Sequence, residues 1–206
     1  MKRLVLLGCA LVFSVACARR QAPPPPRCET ADAGTPVDPV LLSFLSRARA
    51  AHHLADDHES AADLVSATSA LERLVLGPLP LPVSDAELAP EVREVLADTR
   101  ARLADLRSRQ GAFQAALADV RAGLEVAREP NYFRGHLLET EGLVEERHAK
   151  ALESSDPAAA GAARKRAIDL LEQAMAVQSQ VLEAASRGPT SAAPSSGLPT
   201  SAPRGR

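Results

Sequence analysis

The spacing of proline is the feature that most constrains how this chain can fold. Prolines gather at a few places, and the stretches between them are rich in Ala, Leu, Arg and Glu. Apolar residues in those stretches recur every three or four positions, which is the period of an α-helix. Because proline breaks a helix interior but is accepted at its first turn, the prolines indicate helix boundaries. We therefore predict six helices, at about 39–58, 62–76, 90–110, 112–128, 131–154 and 159–185.

Local signals at the predicted boundaries agree with helix starts. Asp38 followed by Pro39 combines a favourable N-cap with the residue preferred at the first helical position. Ser84 and Glu87 have the spacing of a capping box, just ahead of Pro90. The first and the third predicted helix therefore each begin at a proline that follows a capping signal.

The core of such a chain must be built from small and aliphatic side chains. Hydrophobic residues make up 46% of the chain but aromatic residues only 2%, and there is no Trp. Alanine and leucine suit close-packed helices, whereas sheets are enriched in aromatic and β-branched residues. The composition therefore predicts an all-α fold, with a body of roughly 150 residues, about the size of one domain.

The six predicted helices form three hairpins that repeat a packing pattern. In each hairpin a small residue on the leading (first) helix is followed by a small residue on the trailing (second) helix. Small residues let two helix backbones approach closely, and large residues one turn later fill the remaining space. The small pairs are Ala55 with Ala67, Ala104 with Ala116, and Gly142 with Ala167, and the large residues after them are Leu71, Val75, Val120, Leu124, Leu171 and Met175.

This pattern resembles the tetratricopeptide repeat. The most similar stretch is 102–130, with Gly111-Ala112-Phe113 at the helix turn, and the first hairpin is similar through Ala62-Asp63-Leu64. The resemblance implies helical hairpins stacked as a short α-solenoid over residues 38–186. A plain α-helical bundle with alanine-rich seams is the alternative.

Three departures from the tetratricopeptide pattern affect that expectation. The large aromatic residue early in the leading helix is absent, and Arg107 stands where a Tyr is typical. Equivalent trailing alanines recur about every 50 residues rather than every 34. We therefore expect inserted loops that interrupt a regular stack, one of them at 156–163.

The resemblance also implies a binding groove lined by the leading helices. Such a groove would be mixed in charge and mostly acidic, and it would suit a partner with basic or polar side chains. Two apolar residues, Ala101 and Leu143, belong to the same face. The polar groove residues are Arg49, His52, Asp56 and Glu59 in the first hairpin, Asp98, Asp105 and Arg109 in the second, and His136, Glu139 and Glu146 in the third.

An N-terminal targeting segment precedes the predicted helices. Two cations are followed by an apolar run that is shorter than the about 20 residues needed to cross a bilayer as a helix. The run ends in Ala16-Cys17, which resembles the lipobox of bacterial lipoprotein precursors, although Ser14 stands where that family usually has Leu. The resemblance implies a signal peptide at 1–16 and a lipid anchor at Cys17.

Two alternatives stay open at this segment. Cys9 follows a local sequence that fits the lipobox better, but the apolar run before it is too short. An ordinary secretory signal, with Cys17 incidental, is the other alternative. In a mature chain that starts at Cys17, Cys28 would be the only free thiol, so we expect no intramolecular disulfide.

Segments of biased composition flank the predicted domain at 38–186. Residues 17–37 form a Pro-rich linker in which Pro23–Pro26 would act as a stiff, extended spacer. Residues 187–206 are rich in Ser, Pro, Gly and Ala and are expected to form a disordered tail. Ala18, by resemblance to lipoprotein sorting rules, implies an outer-membrane anchor with the body in the periplasm.

Charge and motif content exclude several classes of function. The chain has 24 Lys and Arg against 26 Asp and Glu, so it lacks the basic balance of a nucleic-acid-binding protein. It has no Gly-x-Ser-x-Gly elbow, no phosphate-binding glycine loop and no His-Glu-x-x-His, so we expect neither an enzyme nor a cofactor. Metal binding stays as an alternative, because His52, His53 and His58 form the densest group of possible ligands.

The sequence thus favours an interaction protein, an outer-membrane lipoprotein whose helical repeats dock another protein of the cell envelope. One specific form of this hypothesis resembles pilotins, small tetratricopeptide lipoproteins that help secretin subunits assemble. A structural protein that self-associates without a peptide groove is the alternative. Tyr132 and Phe133 either anchor the core or belong to an interface, where Tyr and Arg are enriched.

Overall fold

The computed structural model describes residues 38–80 and 88–187, and over these residues it contains six α-helices and no strand. This confirms the predicted all-α class. The predictions for the signal peptide, Cys17, Cys28, the linker, the capping box at Ser84 and nearly all of the tail lie outside the described residues. The helices are α1 Pro39–Ser60, α2 Leu64–Val75, α3 Pro90–Arg109, α4 Phe113–Val126, α5 Tyr132–Leu152 and α6 Pro157–Ser186.

Side-chain caps explain where four of the helices begin. The carboxylate of Asp38 accepts a hydrogen bond from the Val40 N–H at 2.8 Å, and Pro39 occupies the first helical position, as predicted. Asp63, Asn131 and Asp156 cap α2, α5 and α6 in the same way, each accepting from the N–H three residues on. These polar residues satisfy backbone donors that the first helical turn leaves without a partner.

The first two hairpins share one turn geometry. Ala62 and Gly111 both have positive φ, 59° and 79°. The next N–H bonds back across each turn, from Asp63 to the His58 carbonyl at 2.8 Å and from Ala112 to the Arg107 carbonyl at 2.9 Å. Glycine adopts this left-handed conformation without strain, whereas alanine does so at a cost of about 1 kcal/mol. The two turns are therefore structural equivalents.

The insertion predicted at 156–163 is wrong. Asp156 accepts a hydrogen bond from the Ala159 N–H at 2.9 Å, so α6 begins at Pro157. Pro157 is thus a helix-start proline rather than a break, and Ala160 and Ala163 are already buried. The connection between α5 and α6 is only residues 153–156.

The predicted small residues lie where the helices of a hairpin pack. Ala55 and Ala67 share one buried cluster, and Ala104 and Ala116 share another. At Gly142 an added Cβ would stand 2.9 Å from Leu171 Cγ and 3.2 Å from the Ala167 carbonyl oxygen.

The predicted packing role of Met175 is wrong, because its side chain is 66% exposed. It follows the buried Ala174 and therefore points about 100° away from the face that contacts α5.

Each hairpin contacts the next one along the chain. The backbone of α3 approaches α1 and α2 on one side and α4 and α5 on the other. Within the described residues, the backbones of α1 and α2 do not approach those of α5 and α6. None of the described helices combines the length and the apolar character needed to cross a membrane.

Candidate functional site: a cleft between the leading helices

A cleft opens where α1, α3 and the start of α5 meet. Its first part has a volume of about 360 Å³. A second part, of about 370 Å³, lies between the start of α3 and the loop before α5. Glu94 and Phe133 line both parts, so the two adjoin, and each falls in the size range of ligand-binding pockets. We call the two parts together the leading-helix cleft, and its first part is lined by Leu45, Ala48, Arg49, His52, Glu94, Val95, Asp98 and Phe133.

Helical spacing and small residues together produce the cleft. Leu45, Arg49 and His52 follow one another at four- and three-residue steps, so they share one face of α1. The buried methyl groups of Ala48 and Ala97 line the walls where a larger side chain would fill the space. The cleft is therefore a consequence of alanines placed between two helices.

The start of α5 carries the aromatic ring that lines the cleft, Phe133, and a second ring next to it, Tyr132. The Asn131 side chain accepts a hydrogen bond from the Arg134 N–H at 2.8 Å, and Arg134 donates to the Ala127 carbonyl at 3.1 Å. This fixes Phe133, half-buried, between the two parts of the cleft. Tyr132 packs edge-on against Phe133 at 5.4 Å between ring centroids, but it is 60% exposed. Phe133 thus packs against the core from its edge, whereas most of Tyr132 stays exposed.

Three of the predicted groove residues, Arg49, His52 and Asp98, line this cleft. The His52 Nε2 atom lies 3.0 Å from the Thr99 hydroxyl oxygen, which ties α1 to α3. Burial lowers the pKa of His52 below its ordinary value, although the charge of Asp98 acts in the opposite direction. His52 is therefore a neutral hydrogen-bonding group near pH 7, and Asp98 supplies negative charge.

Four other predicted groove residues form an ion-pair network at the far end of α1 and α3. The Arg102 guanidinium donates to Asp56 and to Glu59, both at 2.6 Å. Arg109 donates to Glu59 at 2.7 Å, and the guanidinium of Arg147, on α5, lies 2.8 Å from Asp105. We call this set the arginine network, and its members are Asp56, Glu59, Arg102, Asp105, Arg109 and Arg147.

The arginine network changes the expected charge of the groove. Burial alone would raise the pKa of Glu59, but hydrogen bonds and charge from Arg102 and Arg109 lower it below its ordinary value. The acids here are neutralised by guanidinium groups of α3 and α5, so this half of the groove is not acidic. Arg102 and Arg147 were not among the predicted site residues, because their role depends on which helices approach one another.

The third hairpin contributes fewer of the predicted groove residues to the candidate site than the resemblance implies. His136 Nδ1 lies 3.9 Å from a Glu139 carboxylate oxygen, and both side chains are partly exposed. Glu146 is exposed. None of the three lines the cleft or belongs to the arginine network.

Sequence reasoning missed five residues that line the first part of the cleft, which are Leu45, Ala48, Glu94, Val95 and Phe133. A signal was present for three of them. Leu45 stands four residues before the predicted Arg49, and Glu94 and Val95 stand one helical turn before the predicted Asp98. Extending the predicted rows of groove residues on α1 and α3 by one helical turn toward the N-terminus would have included these three residues.

The histidines proposed as metal ligands do not converge. His52 bonds across to α3, His53 is exposed, and His58 lies 3.8 Å from Asp63 at the end of α1. Within the residues that the structure describes, no group of three or more His, Cys, Asp or Glu side chains is placed to hold a metal ion.

The first part of the leading-helix cleft combines mostly apolar walls, a half-buried ring and charged groups of both signs at its edges, whereas charged and polar residues form more of the lining of the second part. Pockets that bind a partner or ligand typically have this character, with mostly apolar walls and a few polar groups that fix orientation. Comparison of the chain with known protein families, with curated proteins and with solved structures gave no match.

Proposed function

We propose that this chain is a membrane-anchored lipoprotein whose helical domain binds a protein of the cell envelope in the leading-helix cleft. The observation that carries the proposal is that one cleft is lined by one helix from each of the three hairpins. A peptide segment lying in it would contact α1, α3 and α5 at once. Binding across several repeated units is how helical-repeat proteins use their leading helices.

The same proposal takes the three hairpins as a short, tetratricopeptide-like α-solenoid. Contacts between neighbouring hairpins, and none between the backbones of the first and third, support it. The matched turns at Ala62 and Gly111 support a true repeat in the first two hairpins. In a bundle with one shared core, the first and third hairpins would instead pack on each other.

The chemistry of the cleft suggests what its partner carries. Leu45, Val95 and Phe133 offer apolar contact, and Glu94 and Asp98 lie one turn apart on α3. A partner segment with one apolar anchor next to a Lys or Arg would place its cation at these two carboxylates. An assembly factor of the pilotin type is the form of this function that we favour, and a self-associating structural protein is the alternative.

Site-specific photo-crosslinking in living cells tests the cleft. A photoreactive amino acid replaces Val95 in the cleft or, as the control, Val65, which is 67% exposed on α2. We expect one dominant adduct from position 95 and none from position 65. Tyr132→Ala, which removes an exposed ring, should weaken the adduct at least about threefold without changing the helical circular dichroism spectrum. The same adducts from both positions, or none from position 95, would rule out the cleft.

The lipid anchor proposed at Cys17 has its own test. If lipid at this residue anchors the chain, Cys17→Ser should release the protein from membranes or leave it as an unprocessed precursor. Cys28→Ser is the matched control and should change neither outcome. Cell fractionation and mass spectrometry of the N-terminus measure both, and unchanged processing and fractionation of Cys17→Ser would exclude the anchor.

A further inference from the structure

The last helix carries an apolar stripe that nothing in the described structure covers. Ile168, Met175 and Leu182 are 57%, 66% and 70% exposed. They stand seven residues apart, which is nearly two helical turns, so they share one face of α6. Within the described residues the backbone of α6 approaches only that of α5, so this face lies at the end of the helical array.

The opposite end of the array is protected in a way that α6 is not. On α1 the same seven-residue spacing places Arg47 between Val40 and Leu54. The Arg47 guanidinium donates to the Pro78 carbonyl at 2.7 Å and lies 5.9 Å from the centre of the Phe44 ring. Terminal units of helical arrays need polar outer faces for solubility. The α1 stripe has a charge at its centre, whereas the α6 stripe has Met175 there.

Charge along α6 is divided between its two halves. Residues 157–167 contain three cations and no acid, and residues 168–186 contain three acids and no cation. This is the reverse of what the helix dipole favours, since acids stabilise the first turns and cations the last. In an antiparallel pair of α6 helices, the three cations of each copy would approach the C-terminal part of the other copy, which carries Glu183.

We propose that this stripe is a dimer interface, in which α6 packs antiparallel against α6 of a second copy with the two-fold axis at Met175. Ile168 and Leu182 each stand seven residues from Met175, so this arrangement places Ile168 of one copy against Leu182 of the other. The stripe is therefore self-complementary, as a two-fold interface requires.

The charges beside the stripe fit the same register. Arg164 and Arg166 bond to Glu153 and Glu145 of their own copy, whereas Lys165 is exposed beside the stripe. In the antiparallel pair Lys165 lies on the same side as Glu183 of the second copy and at nearly the same height. Glu183 holds only an exposed ion pair with Arg187 at 3.2 Å, a kind of pair that contributes little and exchanges readily.

The sequence that follows α6 holds no comparable apolar segment. Residues 188–206 contain a single large apolar residue, Leu198, whereas the stripe presents three. Dimerisation does not rest on the proposed function, because α6 is not part of the leading-helix cleft. Each copy would keep its cleft open to a partner.

Sedimentation equilibrium of the full chain in density-matched detergent measures the association. We expect the mass to rise from one copy to two as the concentration increases. Met175→Asp places two carboxylates together on the axis and should raise the dissociation constant at least about tenfold. Val65→Asp, at an equally exposed valine on α2, is the matched control and should leave the dissociation constant unchanged. Both sites are exposed, so both variants should keep the wild-type circular dichroism spectrum.

Crosslinking with a short bis-maleimide tests the register in chains whose native cysteines are replaced by serine. Met175→Cys should crosslink to itself. Ile168→Cys should not, because its two copies would lie about 20 Å apart along antiparallel helices. A mixture of Ile168→Cys and Leu182→Cys should crosslink.

Four results would overturn the proposal. The first is a protein that stays monomeric at every concentration and whose Met175→Cys thiol reacts freely. This result would mean that a different partner covers the stripe. A monomer in which that thiol is protected points to the segment after residue 187 as the cover. Ile168→Cys crosslinking to itself would mean a parallel pair. Species that grow beyond two copies would mean head-to-tail stacking of α6 on α1.

Discussion

At the residue scale, Asp119 carries a charge inside the helical domain. Its carboxylate is only 1% exposed, and it accepts from Arg100 at 2.6 Å and from Arg107. Arg107 also bonds to Glu72, so this group of charges ties α2, α3 and α4 together. Arg107 therefore links the first hairpin to the second.

We expect Asp119→Asn to destabilise the domain strongly. The substitution keeps the shape of the side chain but leaves two guanidinium groups beside each other without their acid. Removing one member of a buried ion pair costs about 3 kcal/mol of unfolding free energy. Urea unfolding followed by circular dichroism measures this loss, with Asp57→Asn, at an exposed acid of α1, as the control. Equal urea midpoints for the two variants would show that Asp119 contributes nothing beyond a surface carboxylate.

At the element scale, the packing of α5 on α6 depends on glycine at one position and not at another. A Cβ added at Gly142 would stand 2.9 Å from Leu171 Cγ, whereas one added at Gly161 would have nothing within 4 Å. Both residues lie inside helices, where alanine is favoured over glycine by about 1 kcal/mol. The two sites therefore separate helix propensity from packing.

We expect alanine substitutions at these two glycines to have opposite signs. Gly161→Ala should raise the unfolding free energy by about 0.5 to 1 kcal/mol through propensity alone. Gly142→Ala should lower it by about 1 to 2 kcal/mol, because overpacking between two helices outweighs the propensity gain. Chemical unfolding of both variants measures the difference, and a stabilised Gly142→Ala would mean that the helices can separate at no cost.

The positions of the helices can be predicted from the sequence where the signal is local. Each of the six predicted helices coincides with one helix of the structure, because prolines and capping residues act within a turn or two. Pairs such as Ala55 and Ala67 could be predicted because small residues recur at corresponding places in the predicted hairpins. Pro157 led to a wrong prediction because proline occurs both at helix breaks and at helix starts. Only the hydrogen bond from the Ala159 N–H to Asp156 distinguishes the two.

The candidate site could be predicted only in part, because it depends on how helices that are distant in sequence approach one another. Arg49, His52 and Asp98, which line the cleft, were predicted as groove residues through the resemblance to a repeat family. Phe133 was noticed as an aromatic residue, but its place between two parts of one cleft follows from the packing of α5 on α3. The pairing of Arg102 with Glu59, 43 positions away, has no local signature at all.

At the scale of the whole molecule, α3 is the element that joins the hairpins. It contacts α1, α2, α4 and α5, and it supplies Arg102 to the arginine network and Arg107 to the group around Asp119. The leading-helix cleft belongs to α1, α3 and α5, and the apolar stripe to α6. The proposed partner surface and the proposed dimer surface thus lie on different helices.

The contacts between neighbouring hairpins predict how the molecule opens. In a linear array a local defect weakens its own unit and the adjoining interface, whereas in one shared core it weakens every helix together. We therefore expect Gly142→Ala to speed amide hydrogen exchange in α5 and α6 while leaving α1 and α2 nearly unchanged, with α3 the slowest helix. Exchange followed by mass spectrometry measures this, and Gly161→Ala is the control that should speed no helix. Equal acceleration in all six helices would mean a single cooperative bundle, because a defect at the α5–α6 contact could then reach α1 only through a core that all the hairpins share.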